Sequence, residues 1–152
     1  MAQSIPSFAL VALIVPLVGI GVLPAIVAIV VGSIVPIVKN MYVGLSKTDV
    51  ALIDTGKGIG LTDLQIMRHI RLPLAYPAIF AGLKFSAIIA NGIAVLTAII
   101  GSGGLGRIIF EGLASFNINK TLSGAIPAIL IALTLDMIFS ITEKKLKAKS
   151  GY

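Results

Sequence analysis

The chain has no cysteine and no tryptophan, one histidine, and only 12% charged residues among its 152. Without cysteine there is no disulfide framework, no thiol chemistry and no Cys zinc site. A single His69 with six scattered carboxylates leaves little from which to build a metal site. Charge is also absent locally, because Lys39 is the first charged residue and residues 1–38 form one uncharged stretch. What fills the space is apolar: 57% of residues, at a mean hydropathy of +1.08. Soluble domains run at roughly half apolar and about a quarter charged. A core within this length cannot hide so much apolar surface from water. The composition therefore argues against a disordered chain, a coiled coil, a secreted disulfide scaffold and an ordinary nucleic-acid binder, and it points to an all-α integral membrane protein. Twelve Lys+Arg against six Asp+Glu give a net charge of +6. In a membrane protein that excess reads as topology rather than as nucleic-acid binding, since basic residues collect in cytoplasmic loops.

Four spans are expected, at about 4–20, 22–38, 74–100 and 121–141, each near the ~17–25 residues that cross a bilayer. Gly19-Ile20-Gly21, with Pro24 just beyond, marks a tight turn between the first two. No basic residue precedes the first apolar run, so a cleaved leader is not expected. Segment 39–73 carries Lys39, Lys47, Lys57, Arg68 and Arg71, and the tail carries Lys144, Lys145, Lys147 and Lys149. Segment 101–120 carries only Arg107 and Lys120. This asymmetry places the long loop and both termini in the cytoplasm. The tail from Glu143 to Tyr152 reads as a helix end followed by a basic segment facing anionic lipid.

The loop is structured rather than a tether. Lys47 to Gly56 reads as a short helix that ends in a glycine turn over Gly56-Lys57-Gly58-Ile59-Gly60. Thr62-Asp-Leu-Gln65 forms a capping box that opens a second helix, which Leu72-Pro73 is expected to stop before the next span. By pattern alone this is an amphipathic hairpin on the inner membrane face, and an interfacial role and a docking role both remain open.

The spacing Asp54-Thr55-Gly56, three residues, Gly60, nine residues, Ile70-Arg71-Leu72-Pro73 resembles the E-A-A…G…I-x-L-P loop of ABC-importer permeases. Asp, Thr and Gly stand where that motif has Glu, Ala and Ala. Asp54 keeps a carboxylate with shorter reach, and Gly56 weakens a helix by about 1 kcal/mol relative to Ala. Three further stretches resemble the osmoprotectant branch, which imports glycine betaine, carnitine, choline and proline: those beginning at Ser4, at Gly19 and at Gly101-Ser-Gly-Gly-Leu-Gly-Arg. That family normally has one more span upstream, so the chain reads as a permease lacking its N-terminal span.

The resemblance implies one permease domain over 1–152, with a coupling loop at 44–73 and an outer re-entrant segment at 101–119. In it, Asp54, Thr55, Gly56, Gly60, Leu61, Thr62, Ile70, Leu72 and Pro73 would dock an ATPase. It further implies a second permease subunit (the same or a different chain), two cytoplasmic ATPase subunits, an extracytoplasmic substrate-binding protein, a surrounding lipid bilayer and no nucleic acid. The chain itself would be no enzyme and would bind no cofactor directly, ATP being used by the partner subunit. A location in the bacterial cytoplasmic membrane follows. A permease for another small solute such as an amino acid, or a truncated membrane protein that does not transport, remains open beside this reading.

Other residues have competing readings. Gly101, Gly103 and Gly106 fit G-x-G-x-x-G by letter, but a dinucleotide site needs a short strand before it and an acid about 20 positions on. The preceding apolar run is far longer than a strand, and positions 121–131 hold no acid. A glycine turn leading into a short amphipathic helix near Leu105–Ala114 fits better. Lys84 and Asp136 fall inside expected spans at similar depth, where a charge is costly and seeks a partner. They form a possible intramembrane ion pair, with snorkelling of Lys84 to the headgroups as the alternative. Ser86 and Thr97 suit helix–helix contact, Asn91 and Ser86 are candidates for a translocation path, and His69 reads as a helix-face contact.

Overall fold

The computed structural model describes residues 6–149, and every regular element among them is helical. The helices are α1 (Ser7–Val18), α2 (Val22–Ser46), α3 (Val50–Gly58), α4 (Asp63–Ile66), α5 (Leu72–Leu96), α6 (Gly104–Ala114) and α7 (Ile118–Lys149). A π-helical turn, Met67–Arg71, joins α4 to α5, and a 3₁₀ turn, Thr97–Ile100, ends α5. No strand precedes the 101–106 glycines, so the nucleotide-turn reading has no structural counterpart there.

Three helical stretches among the described residues are long and apolar enough to cross a membrane: Val22–Ser46, Asp63–Ile100 and Ile118–Lys144. Helix α1 spans 12 residues, about 18 Å at ~1.5 Å per residue. Its described part is shorter than the expected 4–20, of which residues 4 and 5 lie outside the described residues. The break after Val18 is set by Gly19 and Gly21, whose φ angles of +92° and +114° lie where side-chain-bearing residues are disfavoured. Helix α2 runs eight residues past the expected end at 38, carrying Lys39 and Asn40 within it. Helix α7 continues to Lys149, beyond the expected helix end in the tail. Residues 150–152 of that tail lie outside the described residues.

The expectation that Leu72-Pro73 stops the loop helix is corrected. Residues 63–100 form one continuous helical rod. Proline breaks an α-helix because it lacks the N–H and crowds the carbonyl four residues back. Here the wider π turn intervenes, with Leu72 N–H donating to the Met67 carbonyl five residues back. Pro73 thus enters as a first-turn residue of α5, where its missing donor is not needed.

In lipid the hydrophobic effect drives no helix association, so close packing through small residues must do the work. Antiparallel α2 and α5 lie nearly backbone to backbone. A Cβ on Gly44 would come 2.7 Å from Ala78 Cβ, and one on Gly82 would come 3.1 Å from the Pro36 carbonyl oxygen. Helix α6 folds back over α5 through Gly106, and against α7 through Gly112 and Gly124. Val11, Ile14, Ala28 and Ile93 form the small buried core where α1, α2 and α5 meet. Most large apolar residues of the long helices, such as Val30, Ile129 and Leu133, remain exposed. At one end of the bundle the Gly21 N–H donates to the Ile100 carbonyl at 2.7 Å, joining the α1–α2 turn to the end of α5. Helices α3 and α4 sit at the opposite end.

Candidate functional site

The loop between α2 and α5 begins with Asp49, whose side chain accepts the Ala51 N–H at 2.9 Å and caps α3. The helix therefore starts at Val50 rather than at Lys47, which instead terminates α2. Helix α3 ends in a Schellman turn: Leu61 N–H donates to the Gly56 carbonyl at 3.0 Å and Gly60 N–H to Lys57 at 2.9 Å. This closure places Gly60 at φ +85°, which a side-chain-bearing residue adopts only with strain. The expected capping box is present. Thr62 N–H donates to Gln65 Oε1 at 2.8 Å, and Gln65 N–H donates to Thr62 Oγ1 at 3.4 Å.

Inside this hairpin, Gly56 is buried against Ile66, Ile70 and Leu61. A Cβ there would lie 2.9 Å from Ile70 Cδ1, so the isoleucines occupy the volume that an alanine would claim. Asp54 and Thr55 lie on the exposed side of α3, where Thr55 Oγ1 donates back to the Ala51 carbonyl. Leu72 and Pro73 belong to the root of α5 and are half-buried. The other seven of the nine residues singled out divide in two. Gly56, Leu61 and Ile70 hold the hairpin together, while Asp54, Thr55, Gly60 and Thr62 face outward. Two bulky residues that sequence reasoning left out of the site dominate the outer surface, Ile59 at 74% and Leu64 at 77% exposed. An apolar residue inside a glycine turn, for Ile59, and one on the polar face of a capped helix, for Leu64, are the signals that would have found them. His69 places Nδ1 3.0 Å from the Gln65 carbonyl, a contact on its own helix.

Arg71 was also missed. Its side chain lines a polar crevice of about 160 Å³ between α3 and the α4–π segment, with Ile53, Lys57, Asp63, Ile66 and Met67. Its Nε is buried without a hydrogen-bond partner among the described residues.

Lys84 and Asp136 are brought together. Lys84 Nζ lies 2.8 Å from Asp136 Oδ1 and donates to Ser140 Oγ, also at 2.8 Å. One ammonium thereby bridges two positions a turn apart on α7 and ties it to α5. Asn91 and Ser86 are not brought together. Asn91 borders an apolar groove of about 360 Å³ with Gly92, Val95, Ala128 and Ala132, and its Nδ2 reaches the Ala128 carbonyl at 3.5 Å. Ser86 is buried at 7% exposure, one turn beyond Gly82 on α5.

At the far end, Glu111 of α6 accepts from Arg107 Nε at 2.6 Å and pairs with Lys120 Nζ at 2.9 Å. The hydrogen bond from Arg107, then that from Lys120, lowers its carboxyl pKa to about 2. Phe116, at φ +50° and 98% exposed, turns the chain from α6 into α7. No group of three or more metal-ligating side chains exists among the described residues.

Comparison with known proteins places this architecture. The chain is 40% identical over 149 residues to the glycine betaine/carnitine/choline transport system permease protein OpuCB of Bacillus subtilis, covering 98% of this chain and 69% of that one. It is 41% identical over 144 residues to the choline transport system permease protein OpuBB of the same organism, covering 95% and 66%. To the carnitine transport permease protein OpuCB of Listeria monocytogenes it is 36% identical over 148 residues, covering 97% and 68%. The chain thus spans about two thirds of the length of these relatives. Its fold matches a chain of the MetNI methionine ABC transporter in an inward-facing conformation, with a TM-score of 0.83 at 23% identity over 95% of this chain and 70% of that one. Residues 1–148 match the family described as binding-protein-dependent transport system inner membrane component, and the chain, an all-helical permease of the ABC-importer type, belongs to that family.

Proposed function

We propose that the chain is the membrane-spanning subunit of an ATP-driven importer of quaternary ammonium osmoprotectants such as glycine betaine, carnitine and choline. The observation that carries this reading is the capped hairpin of α3 and α4 fused to α5. A rigid knob with exposed Ile59 and Leu64 stands at the end of a continuous 38-residue rod. In this reading the knob docks on a cytoplasmic ATPase subunit that binds and hydrolyses ATP. Asp54, Thr55, Gly60 and Thr62 form its contact face, and Gly56, Leu61 and Ile70 keep it rigid. Because no loop separates α4 from α5, movement of the knob tilts α5 directly. Leu72 and Pro73 at the root of that rod act as its fulcrum.

The partners are a second permease subunit, two ATPase subunits and an extracytoplasmic binding protein, in the bacterial cytoplasmic membrane. The spans are the apolar parts of α1, α2, α5 and α7, and α6 lies in the outer segment 101–119. The hairpin end faces the cytoplasm because it carries the larger share of basic residues. Asn91 is the polar group on the groove of α5 and α7 and lies along the path, whereas Ser86 contributes helix contact. Lys84 and Asp136 form an ion pair within the membrane that fixes α7 to α5. The substrate class rests on the relatives' solutes. Cages for quaternary ammonium favour aromatic rings, and with no tryptophan here such a cage belongs more naturally to the binding protein.

The experiment is uptake of labelled glycine betaine into proteoliposomes that hold the chain, its ATPase and its binding protein. Choline and carnitine serve as competitors, and an amino acid serves as control. ATP-dependent uptake inhibited by the quaternary amines supports the reading. Absence of glycine betaine uptake, with ATP-dependent uptake of the labelled amino acid in its place, would reassign the solute.

A further inference from the structure

The polar crevice in the hairpin is lined by an arginine whose Nε–H meets no acceptor among the described residues. Buried donors in proteins are almost always paired, yet Arg71 Nε is buried and unpartnered among the described residues. The crevice is polar, about 160 Å³, and framed by two cations, Lys57 and Arg71, against one carboxylate, Asp63. That volume takes a side chain's carboxylate and is too small for a nucleotide. A guanidinium offers its donors as a planar fork, which matches a carboxylate in two parallel hydrogen bonds. Lys57, on the exposed side of α3, adds a second positive charge at the rim. Apolar Ile53, Ile66 and Met67 complete the walls, lowering local polarity and strengthening any charge-assisted bond made there.

We propose that this crevice receives an Asp or Glu side chain of the cytoplasmic ATPase subunit, clamped by Arg71 and steered by Lys57. The inference rests on the docking role proposed for the hairpin and adds to it. Ile59 and Leu64 would supply the apolar part of the contact and Arg71 its polar key. The key sits at the last residue of the π turn, immediately before α5. Force applied to the bound carboxylate therefore enters the long rod at its base rather than through the tip of the hairpin.

The test measures binding of the purified cognate ATPase subunit to the intact chain in neutral-lipid nanodiscs, across a salt series. A charge-assisted hydrogen bond lost at a protein contact weakens binding by about tenfold or more. Arg71→Gln is expected to show that loss together with a shallower salt dependence, and Arg71→Lys is expected to recover part of it. Lys57→Gln, on an exposed side chain, tests the same crevice without disturbing the hairpin. Its expected effect is a slower association rate that high salt conceals. Arg71→Glu should regain binding when one acidic residue of the ATPase is changed to Arg.

Unchanged affinity and salt dependence in both Arg71→Gln and Lys57→Gln would overturn the proposal, the crevice then holding only water. It would also fall if the effect of Arg71→Gln appeared only in discs containing anionic lipid, since the acceptor would then be a headgroup. Leu64→Arg separates the two levels. Loss of binding in Leu64→Arg with none in Arg71→Gln leaves the docking role standing and removes the crevice's part. Failure of the unaltered chain to bind the ATPase would remove both.

Discussion

Gly60→Ala perturbs the hairpin in a way whose size follows from the backbone alone. Gly60 adopts φ +85°, and a Cβ built there meets nothing within 4 Å. The cost is therefore purely conformational, roughly 1–2 kcal/mol for a left-handed residue bearing a side chain. That strain falls on the Schellman turn, which is held by the bonds from Leu61 to Gly56 and from Gly60 to Lys57. A change of about 1–2 kcal/mol alters the ratio of open to closed loop by roughly 5- to 30-fold. Amide hydrogen exchange at Gly60 and Leu61 should accelerate by that factor, while exchange in the middle of α5 stays as it was. Gly58 supplies a matched control. It too has open space around it but lies within α3 at an ordinary helical φ, so Gly58→Ala should slow exchange in α3 by up to about fivefold, through the roughly 1 kcal/mol that alanine gains over glycine in a helix. Equal exchange in Gly60→Ala and the unaltered chain would refute the claim that this turn holds the hairpin closed.

Other outcomes follow from the contacts. In Gly106→Ala the new methyl would collide with the backbone carbonyl of Val95. Because backbone cannot swing aside, α6 must lift from α5, and thermal unfolding in detergent should reveal a loss of about 1–3 kcal/mol. Gly56→Ala puts a methyl 2.9 Å from the mobile end of Ile70 and 3.3 Å from Ile66 Cγ1; alanine's helix preference offsets that crowding, so thermal stability should change by less than about 1 kcal/mol. Lys84→Met and Asp136→Asn should be strongly non-additive in the same assay, the double variant costing little more than one single change; simple additivity would show that the pair is not coupled. The pairing of Glu111 has a defined pH window. Its folded pKa, near 2, lies below the ordinary value of 4.5. The contribution is therefore whole above that ordinary value and is lost as pH falls towards 2. Both partners are exposed, so salt should screen the effect, and Glu111→Gln should erase the acid-dependent part of α6–α7 unfolding.

The sequence disclosed the loop more fully than the spans. The capping box and the glycine turn are encoded by adjacent residues, so Thr62, Gln65 and Gly60 could be assigned their parts without knowing what surrounds them. Helix ends depended on more distant facts. Pro73 looked like a stop because a proline's effect was judged against α-helical geometry, and nothing local announces the π turn that admits it. Lys47 looked like the start of the loop helix, although the side chain that caps it is Asp49 two residues later. The pairing of Lys84 with Asp136 was foreseeable from shared depth, whereas Ser140 as a second partner needed the register of α7 against α5. Arg71 was hidden by the motif itself. In I-x-L-P it occupies the variable place, and only packing of α3 over the rod shows that its Nε is enclosed. The buried side of Gly56 was likewise invisible, since composition reports glycine's weakness in a helix but not the isoleucines packed against it.

The central claim is that the α3–α4 hairpin meets the ATPase. Because the chain contains no cysteine, a single one can be placed at Leu64, on the hairpin's exposed surface, or at Phe116, at the opposite end of the bundle. Short thiol cross-linking to an ATPase bearing surface cysteines, in membranes containing the assembled transporter, reads the contact directly. The account predicts a cross-linked product with Leu64→Cys that depends on the nucleotide state, and none with Phe116→Cys. A product with Phe116→Cys, or none with Leu64→Cys while the ATPase stays bound to the membrane, would contradict it.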